Sequence, residues 1–424
     1  MKRRGIVLKK NICIVGIGYI GLPTAAMFSS YGHKVIGVDI NENVVNVLNK
    51  GKITITEPGL EEFVKKVVSS GNLSASIVPK ESDVFIICVP TPINKDKTAN
   101  IELVISAIKS IVPVLKKGNI VVLESTSPVG TTEEVIKPIL ENSGLNIGKD
   151  VLLGYSPERL IPGNIIYELK HNDRVIGGIN EKSANEIKEL YKTIVDGNIY
   201  TTNCKTAELC KLMENTYRDV NIALANELAM ICEDLGINVW DVIKYCNKHP
   251  RVNIHNPGPG VGGHCLAVDP WFIVEKEPKL AKIIGLSREN NDFMPNFIFS
   301  KIEKLLKDIK YDKKITILGA TYKANIDDMR ESPIIVNILE DNGYKVEIYD
   351  TFIKDNNLVN EDLLDSCKDS DLIILGVDHD EFKDLPWDEI KKVVRGNIVL
   401  DTRNFFNENK IKSSGFIYKL LGKM

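Results

Sequence analysis

Between His249 and Phe272 the chain reads HPRVNIHNPGPGVGGHCLAVDPWF. Gly258, Gly260, Gly262 and Gly263 stand too close together for a helix or a strand, so they predict a shaped loop. Cys265 sits in that loop with Asp269 one helical turn beyond it. A thiol beside a carboxylate on glycine-shaped backbone has the makings of a covalent-catalysis site. A lone cysteine is more commonly a small buried hydrophobe, and the loop by itself leaves the two readings level. Upstream, Lys211, Asn215 and Arg218 follow i, i+4, i+7 spacing and share one face of a predicted helix. Such a polar stripe is usually wet, but this one lies in the chain between a dinucleotide fold and the Cys265 loop. Glu158 and Arg159, in the proline-bounded segment YSPERLIPG, read from local pattern as a solvated surface pair.

These residues need rigid elements to position them. NICIV (Asn11–Val15) is a short apolar run, followed at once by Gly16, Gly18 and Gly21 in GIGYIG, a helix-like TAAMFSSYG, and the strand HKVIGVD ending in Asp39. Strand, glycine turn, helix, strand and terminal acid form one dinucleotide-binding βαβ unit. The turn brings backbone amides to a pyrophosphate at the helix N-terminus. Asp39 would accept from a ribose 2′-OH and repel a 2′-phosphate, which predicts NAD rather than NADP.

The alternation continues with DVFIICV (83–89) running into Thr91, and NIVVLE (119–124) running into STSPVGTT with Thr126. Both threonines stand where ligands gather, at the carboxyl ends of strands, although each could equally cap a helix or form a turn. Val151 to Gly154 is a further strand, leading into YSPERLIPG. Thr206 reads as the N-cap of a helix running to about Leu235 and stopped by Gly236. Leu209, Leu212, Val220, Leu224, Leu228, Ile231 and Leu235 mark its apolar stripe. A helix this long predicts a spine for a homodimer or a higher homo-oligomer. From Lys313, KKITILGATYK, KVEIYD ending in Asp350, SDLIILGVD and NIVLD form a second, shorter copy of the first architecture. Its turn carries Tyr322, Lys323 and Arg330, and its last strand delivers Arg403; the lysine and the arginines are cations suited to a nucleotide. The fold class is therefore α/β: two Rossmann-like doubly wound domains, 1–200 and 306–424, joined by a central helical region, 201–305, with a long spanning helix.

Composition limits the function classes. The chain has 424 residues, 43% apolar and 26% charged, with a formal net charge of -3. That is a globular composition with no field for a polyanion, so nucleic acid is not a predicted partner. Eight cysteines without a CxxC pair predict reduced thiols in a cytoplasm, and neither they nor the six histidines have metal-ligand spacing. The start, MKRRGIVLKK and an apolar run to Phe28, has the outline of a leader peptide, but glycines and Pro23 interrupt it. No later run approaches membrane-spanning length, so no membrane partner is predicted.

Taken together and in order, GIGYIG with Asp39, VPTP at 89–92, STSPVGTT, SPER at 156–159, AELCKLMENTYR, GVGGHCLAVDP and ATYKANIDDMRESP resemble the nucleotide-sugar 6-dehydrogenase family, which includes UDP-glucose dehydrogenase. HPRVNIHNPGPGVGGHC with AVDPWF is most similar to the branch acting on UDP-N-acetylmannosamine, a signature shared in part with the UDP-N-acetylglucosamine enzymes. The UDP-glucose enzymes carry Ser before the cysteine and Pro-Lys-Asp after it, where this chain has His264 before and Ala267, Val268 and Asp269 after. The resemblance implies oxidation of a UDP-sugar C6 alcohol to a carboxylate with two NAD per turnover, through a thiohemiacetal and a thioester on Cys265. It assigns Lys211 to acid–base or oxyanion duty, Asn215 to the oxyanion, Asp269 to proton transfer through water, and Glu158, with Thr126 close by, to the hydrolytic water. The cofactor set it implies is Gly16, Gly18, Tyr19, Ile20, Gly21, Asp39, Thr91, Thr126 and Arg330. The substrate set is Arg159, Leu160, Lys211, Asn215, Arg218, His249, Arg251, Gly262, Tyr322, Lys323 and Arg403.

Overall fold

The computed structural model describes residues 9–423 apart from 56, 161, 162, 331, 333, 334 and 355; the basic N-terminal run lies outside the described residues. The chain divides into two compact units, residues 1–214 with 275–277, and residues 215–274 with 278–424.

The first unit is built on eight strands: β1 (Asn11–Val15), β2 (Lys34–Val38), β3 (Leu73–Ser76), β4 (Val84–Ile87), β5 (Ile120–Leu123), β6 (Leu152–Tyr155), β7 (Arg174–Gly178) and β8 (Ile199–Asn203). They lie in the order β3-β2-β1-β4-β5-β6-β7-β8. VFII in β4 and IVVL in β5 are buried at every position, the mark of parallel strands covered on both faces. The order reverses between β1 and β4, which opens a crevice at their carboxyl ends. One pairing, β6 with β7, is antiparallel, in the register Gly154 to Gly178 and Tyr155 to Gly177. It brings the amino end of β7 to the carboxyl end of β6.

The second unit carries β9 (Lys314–Leu318), β10 (Lys345–Tyr349), β11 (Leu372–Leu375), β12 (Ile398–Asp401) and β13 (Ile417–Leu420), parallel throughout, in the order β10-β9-β11-β12-β13. The reversal falls between β9 and β11. Strands β3, β7, β8 and β13 are additions to the sequence reading: β3 and β8 are largely polar, β7 ends in two glycines and β13 is only four residues long.

The long helix spans Cys204–Leu235. Its cap corrects the sequence reading: Thr206 lies inside the helix, and Asn203 Oδ1 accepts from the Thr206 backbone N–H at 2.8 Å. Asparagine is as good a cap as threonine and stands where the orphan amides begin. Gly236, at φ +69°, ends the helix as expected, with Ile237 N–H returning to the Cys232 carbonyl at 2.8 Å. The apolar stripe is also corrected. In the second unit Tyr217, Leu224, Ile231 and Leu235 are exposed, while Asn215, Thr216, Asp219, Ala223, Asn226 and Ala229 are buried. That buried face is held by polar bonds: Arg288 donates to Asp219 at 2.5 Å, and Asn291 donates to the Asp219 carboxylate at 2.8 Å. Asn226 Nδ2 donates to Asn291 Oδ1 at 2.9 Å. Among the described residues no helix is long and apolar enough to cross a membrane.

Candidate active site

The glycine turn of the first unit is shaped by steric necessity. Gly16 has φ +90°, and a Cβ there would lie 2.5 Å from the Cys88 carbonyl oxygen. A Cβ at Gly21 would lie 1.8 Å from the Gly16 carbonyl oxygen, whereas one at Gly18 would meet nothing within 4 Å. Gly16 and Gly21 therefore fold the turn, and Gly18 leaves it open. Ile20 precedes the helix Gly21–Ser30 without a side-chain cap, and the first turn of that helix has no acid. Tyr19 is exposed beside it. Asp39 is half-buried at the end of β2, its Oδ1 accepting from Asn41 N–H at 3.0 Å. An uncapped helix start, an open glycine and an accessible strand-end acid fit a dinucleotide.

Next to it, Thr91 Oγ1 donates to the Thr126 carbonyl at 2.6 Å, tying the loops after β4 and β5 together. Lys211 and Leu160 are half-buried in this unit. Glu158 and Arg159 are not a surface pair. Glu158 is 6% exposed and forms an ion pair with Arg174, while Arg159 pairs with Glu214 and donates to the Asp173 carbonyl at 3.1 Å. The register of β6 and β7, carried on, sets position 158 opposite 174, which local sequence does not reveal.

In the second unit Cys265 is exposed, which sets aside the alternative of a small buried hydrophobe. Its carbonyl accepts from Asp269 N–H at 2.8 Å, so the cysteine turn leads directly into the helix Asp269–Lys276. Asp269 and Asn215 are both buried and bonded, Asn215 Nδ2 donating to Asp269 Oδ2 at 2.5 Å. Arg218 donates to the Oδ1 of the same asparagine. Three residues named from sequence thus form one chain of bonds. The glycine loop has further neighbours: a Cβ at Gly258 would lie 2.6 Å from the Arg403 guanidinium, and one at Gly263 would lie 2.8 Å from the Tyr322 ring. At Gly263, where φ is also +86°, glycine is required for the loop to seat against the ring, whereas at Gly258 the obstacle is the movable end of Arg403. Gly262 is half-buried in the same loop. His249 and Arg251 are exposed in the turn after the helix Val239–Cys246, with His249 Nδ1 accepting from Arg251 N–H at 3.3 Å. Lys323 is exposed, and Arg330 is held in its own loop by Asp328 through bonds of 2.9 and 2.7 Å.

Sequence reasoning missed several partners. Asn226 pins the glycine loop by accepting from Gly258 N–H at 2.9 Å. Glu124 and Arg174 were missed as well, although an acid closing the apolar run IVVL is a visible signal. Glu124 is 2% exposed and Arg174 is buried against it at 3.6 Å. Burial first, then the charge of Glu158, pushes the Glu124 carboxyl up to about 7, against the opposing pull of Arg174.

An NAD-binding fold, a nucleotide-type second sheet and a thiol loop define a nucleotide-sugar oxidoreductase, and comparison with known proteins agrees. Three domain models of the UDP-glucose/GDP-mannose dehydrogenase family match the chain: the NAD binding domain at residues 10–195, the central domain at 205–292 and the UDP binding domain at 316–408. The chain belongs to this family, and its cofactor is NAD. It is 47% identical to the UDP-N-acetyl-D-mannosamine dehydrogenase of Methanococcus maripaludis (strain C7), over 100% of this chain and 99% of that one. Among solved structures it is similar to the UDP-D-ManNAc dehydrogenase of Pyrococcus horikoshii, with a TM-score of 0.90 and 40% identity over 97% of this chain and 99% of that one. It is also similar to the UDP-N-acetyl-mannosamine dehydrogenase of Staphylococcus aureus, with a TM-score of 0.87 and 45% identity over 97% and 98%.

Proposed function

We propose that the chain is a UDP-N-acetyl-D-mannosamine 6-dehydrogenase, converting UDP-ManNAc, two NAD and water into UDP-ManNAcA, two NADH and three protons. Residues 1–200 hold NAD, 201–305 carry the thiol loop and 306–424 hold the UDP end of the substrate. NAD, when bound, supplies the hydride acceptor for both oxidations. Lys211 takes or steadies the alcohol proton and Asn215 supports the oxyanion. The Cys265 sulfur adds to the C6 aldehyde, giving a thiohemiacetal that again carries a transferable hydride; its loss leaves a thioester. Glu158, with Thr126 close by, takes a proton from water as the water oxygen attacks the thioester carbonyl. The C–S bond then breaks with its electron pair leaving on Cys265, and Asp269 relays a proton through water. Arg159, Leu160, Arg218, His249, Arg251, Gly262, Tyr322, Lys323 and Arg403 bind the substrate, and Arg330 reaches NAD.

The observation that supports this reading most is the buried Asn215–Asp269 bond one helical turn from an exposed Cys265. The test is the number of NADH formed per sugar with limiting UDP-ManNAc, UDP-GlcNAc or UDP-glucose. Two NADH with UDP-ManNAc alone is the expected outcome. Two with another sugar instead would replace the substrate, and one with any of them would remove the thioester route. Cys265→Ala should abolish release of the acid, and turnover to acid by that variant would overturn covalent catalysis.

A homodimer joined along the long helix accompanies this reading. Its support is the exposed stripe of Tyr217, Leu224, Ile231 and Leu235. A contiguous apolar face of that kind marks an interface. Light scattering should give twice the chain mass, falling to one in Leu224→Glu/Ile231→Glu. The place of work is the cytoplasm, and a hexosaminuronate product suits a surface polysaccharide.

A further inference from the structure

Beneath Glu158 lies a charge cluster that takes no part in the proposed reaction steps. Arg174 donates to Glu158, lies 3.6 Å from Glu124 and reaches Ser156 Oγ at 3.4 Å. Glu124 accepts from the Tyr191 hydroxyl, from the Cys88 thiol at 3.1 Å and from Thr24 Oγ1 at 3.5 Å. The Arg174 guanidinium also stacks on the Tyr191 ring, 4.8 Å from its centroid. Tyr191 is fully buried.

We infer that Glu124 and Arg174 are positioning residues for Glu158: Arg174 divides its guanidinium between two buried carboxylates, and the charge on Glu124 governs how firmly it holds Glu158 away from water. The inference rests on the reading that Glu158 activates the hydrolytic water. Two carboxylates against one guanidinium leave an uncompensated negative charge out of solvent, which is costly. One proton neutralises the cluster, and Glu124 is the member placed to take it. The other groups facing it are Glu158, Arg174, Tyr191 and Cys88, and burial pushes the Tyr191 and Cys88 protons further on, so both remain donors across the neutral range. With Glu124 ionised, Arg174 is shared and a Glu158 oxygen is free to accept from water. With Glu124 protonated, the guanidinium belongs to Glu158 alone and blocks that oxygen. The hydrolytic step should therefore quicken as pH rises through neutrality, along a limb that depends on Glu124.

The experiment is a single turnover with UDP-ManNAc, following the NADH burst and, by mass spectrometry, the decay of the acyl adduct on Cys265 at a series of pH values. In the native enzyme adduct decay should rise through a limb near neutral pH. In Glu124→Gln the burst should persist, the limb should vanish and decay at alkaline pH should be on the order of tenfold slower, part of the roughly 10²–10⁴-fold that a positioned base contributes. Tyr191→Phe removes a bond that favours ionised Glu124, and should move the limb to higher pH. A native decay without a limb overturns the inference, as does a limb left in place by folded Glu124→Gln. If Glu124→Gln does not fold, Tyr191→Phe decides: a displaced limb supports the inference and an unmoved one overturns it. A native enzyme that forms no adduct and no NADH instead fails the proposed function itself.

Discussion

The two sheets have the same frame and opposite fates for the same residue. In each, the first strand ends in a glycine with positive φ, Gly16 at +90° and Gly319 at +95°, and the second strand ends in an aspartate, Asp39 or Asp350. Asp39 is half-buried, accepting from Asn41 N–H at 3.0 Å and, more distantly, from Ile17 N–H of the glycine turn at 3.4 Å. Asp350 is fully buried and accepts from Ala320 N–H at 2.7 Å, Phe352 N–H at 2.8 Å and His379 Nε2 at 3.0 Å. His379 also accepts from Asn325 N–H through Nδ1 at 2.9 Å, which fixes Nε2 as the donor, and its ring stacks on Phe352 at 4.7 Å. The turns differ in the same way. After Gly16 a helix begins at Gly21, whereas after Gly319 the next helix among the described residues begins at Val336. A strand-end acid and a glycine turn make a dinucleotide site only where both are left unspent. In the second sheet they are consumed in holding the loop that carries Tyr322 and Lys323.

The most damaging way to probe that difference is Asp350→Asn. It leaves the three donors short of a charged acceptor in a dry site, and losing hydrogen bonds to a buried charged group costs about 1.5–3 kcal/mol. Thermal unfolding should show the loss, with NAD affinity unchanged; a variant with native stability would mean that the second acid is as unspent as the first. Burial works against the Asp350 charge, but the hydrogen bonds from His379, Ala320 and Phe352 outweigh it and hold the carboxyl below its ordinary range. The stability it confers is therefore present above the ordinary aspartate pKa of about 3.9 and lost as pH falls through the folded value. That acid-side loss should be missing in Asp350→Asn.

Gly21→Ala attacks the first turn instead. The new methyl would sit 1.8 Å from a carbonyl oxygen, so backbone must move. Displacement of that kind costs about 1–3 kcal/mol, enough to weaken NAD binding by up to roughly a hundredfold. Titration with UDP, which the second unit takes, should be unaffected. Native NAD affinity in this variant would remove the turn from the cofactor site.

How much of this the sequence disclosed follows from the range of the interactions involved. The strand-end positions of Asp39, Thr91, Thr126 and Arg403, and the loop around Cys265, were legible because glycine spacing and apolar runs are local signals. Asp39 and Asp350 looked alike because the difference between them is made by His379, which arrives on the segment after β11, across β9. Glu158 was misjudged as a surface acid because its partner Arg174 is brought by the antiparallel pairing of β6 and β7. In the long helix the apolar spacing was real, but spacing shows that a face is apolar and not what covers it. Small residues and an amide–carboxylate network took the buried side, leaving Leu224 and Ile231 outside.

The mildest probe is Asp39→Asn, and it tests the comparison most directly because it makes in the first sheet the change made at Asp350 in the second. An asparagine oxygen can still accept from the Asn41 N–H, and the site is open enough for water to serve the remaining polarity, so stability should change by about 0.5 kcal/mol or less. The charge that favours a ribose hydroxyl is lost, however, and NAD affinity should fall on the order of tenfold, about 1.4 kcal/mol. The same loss removes the repulsion of a 2′-phosphate, so the ratio of NAD to NADP affinity should narrow by more than the fall in NAD affinity alone. Paired titrations and melting curves on the two variants decide the matter. If Asp39→Asn melts as early as Asp350→Asn while binding NAD as tightly as the native enzyme, the first acid is a structural post like the second.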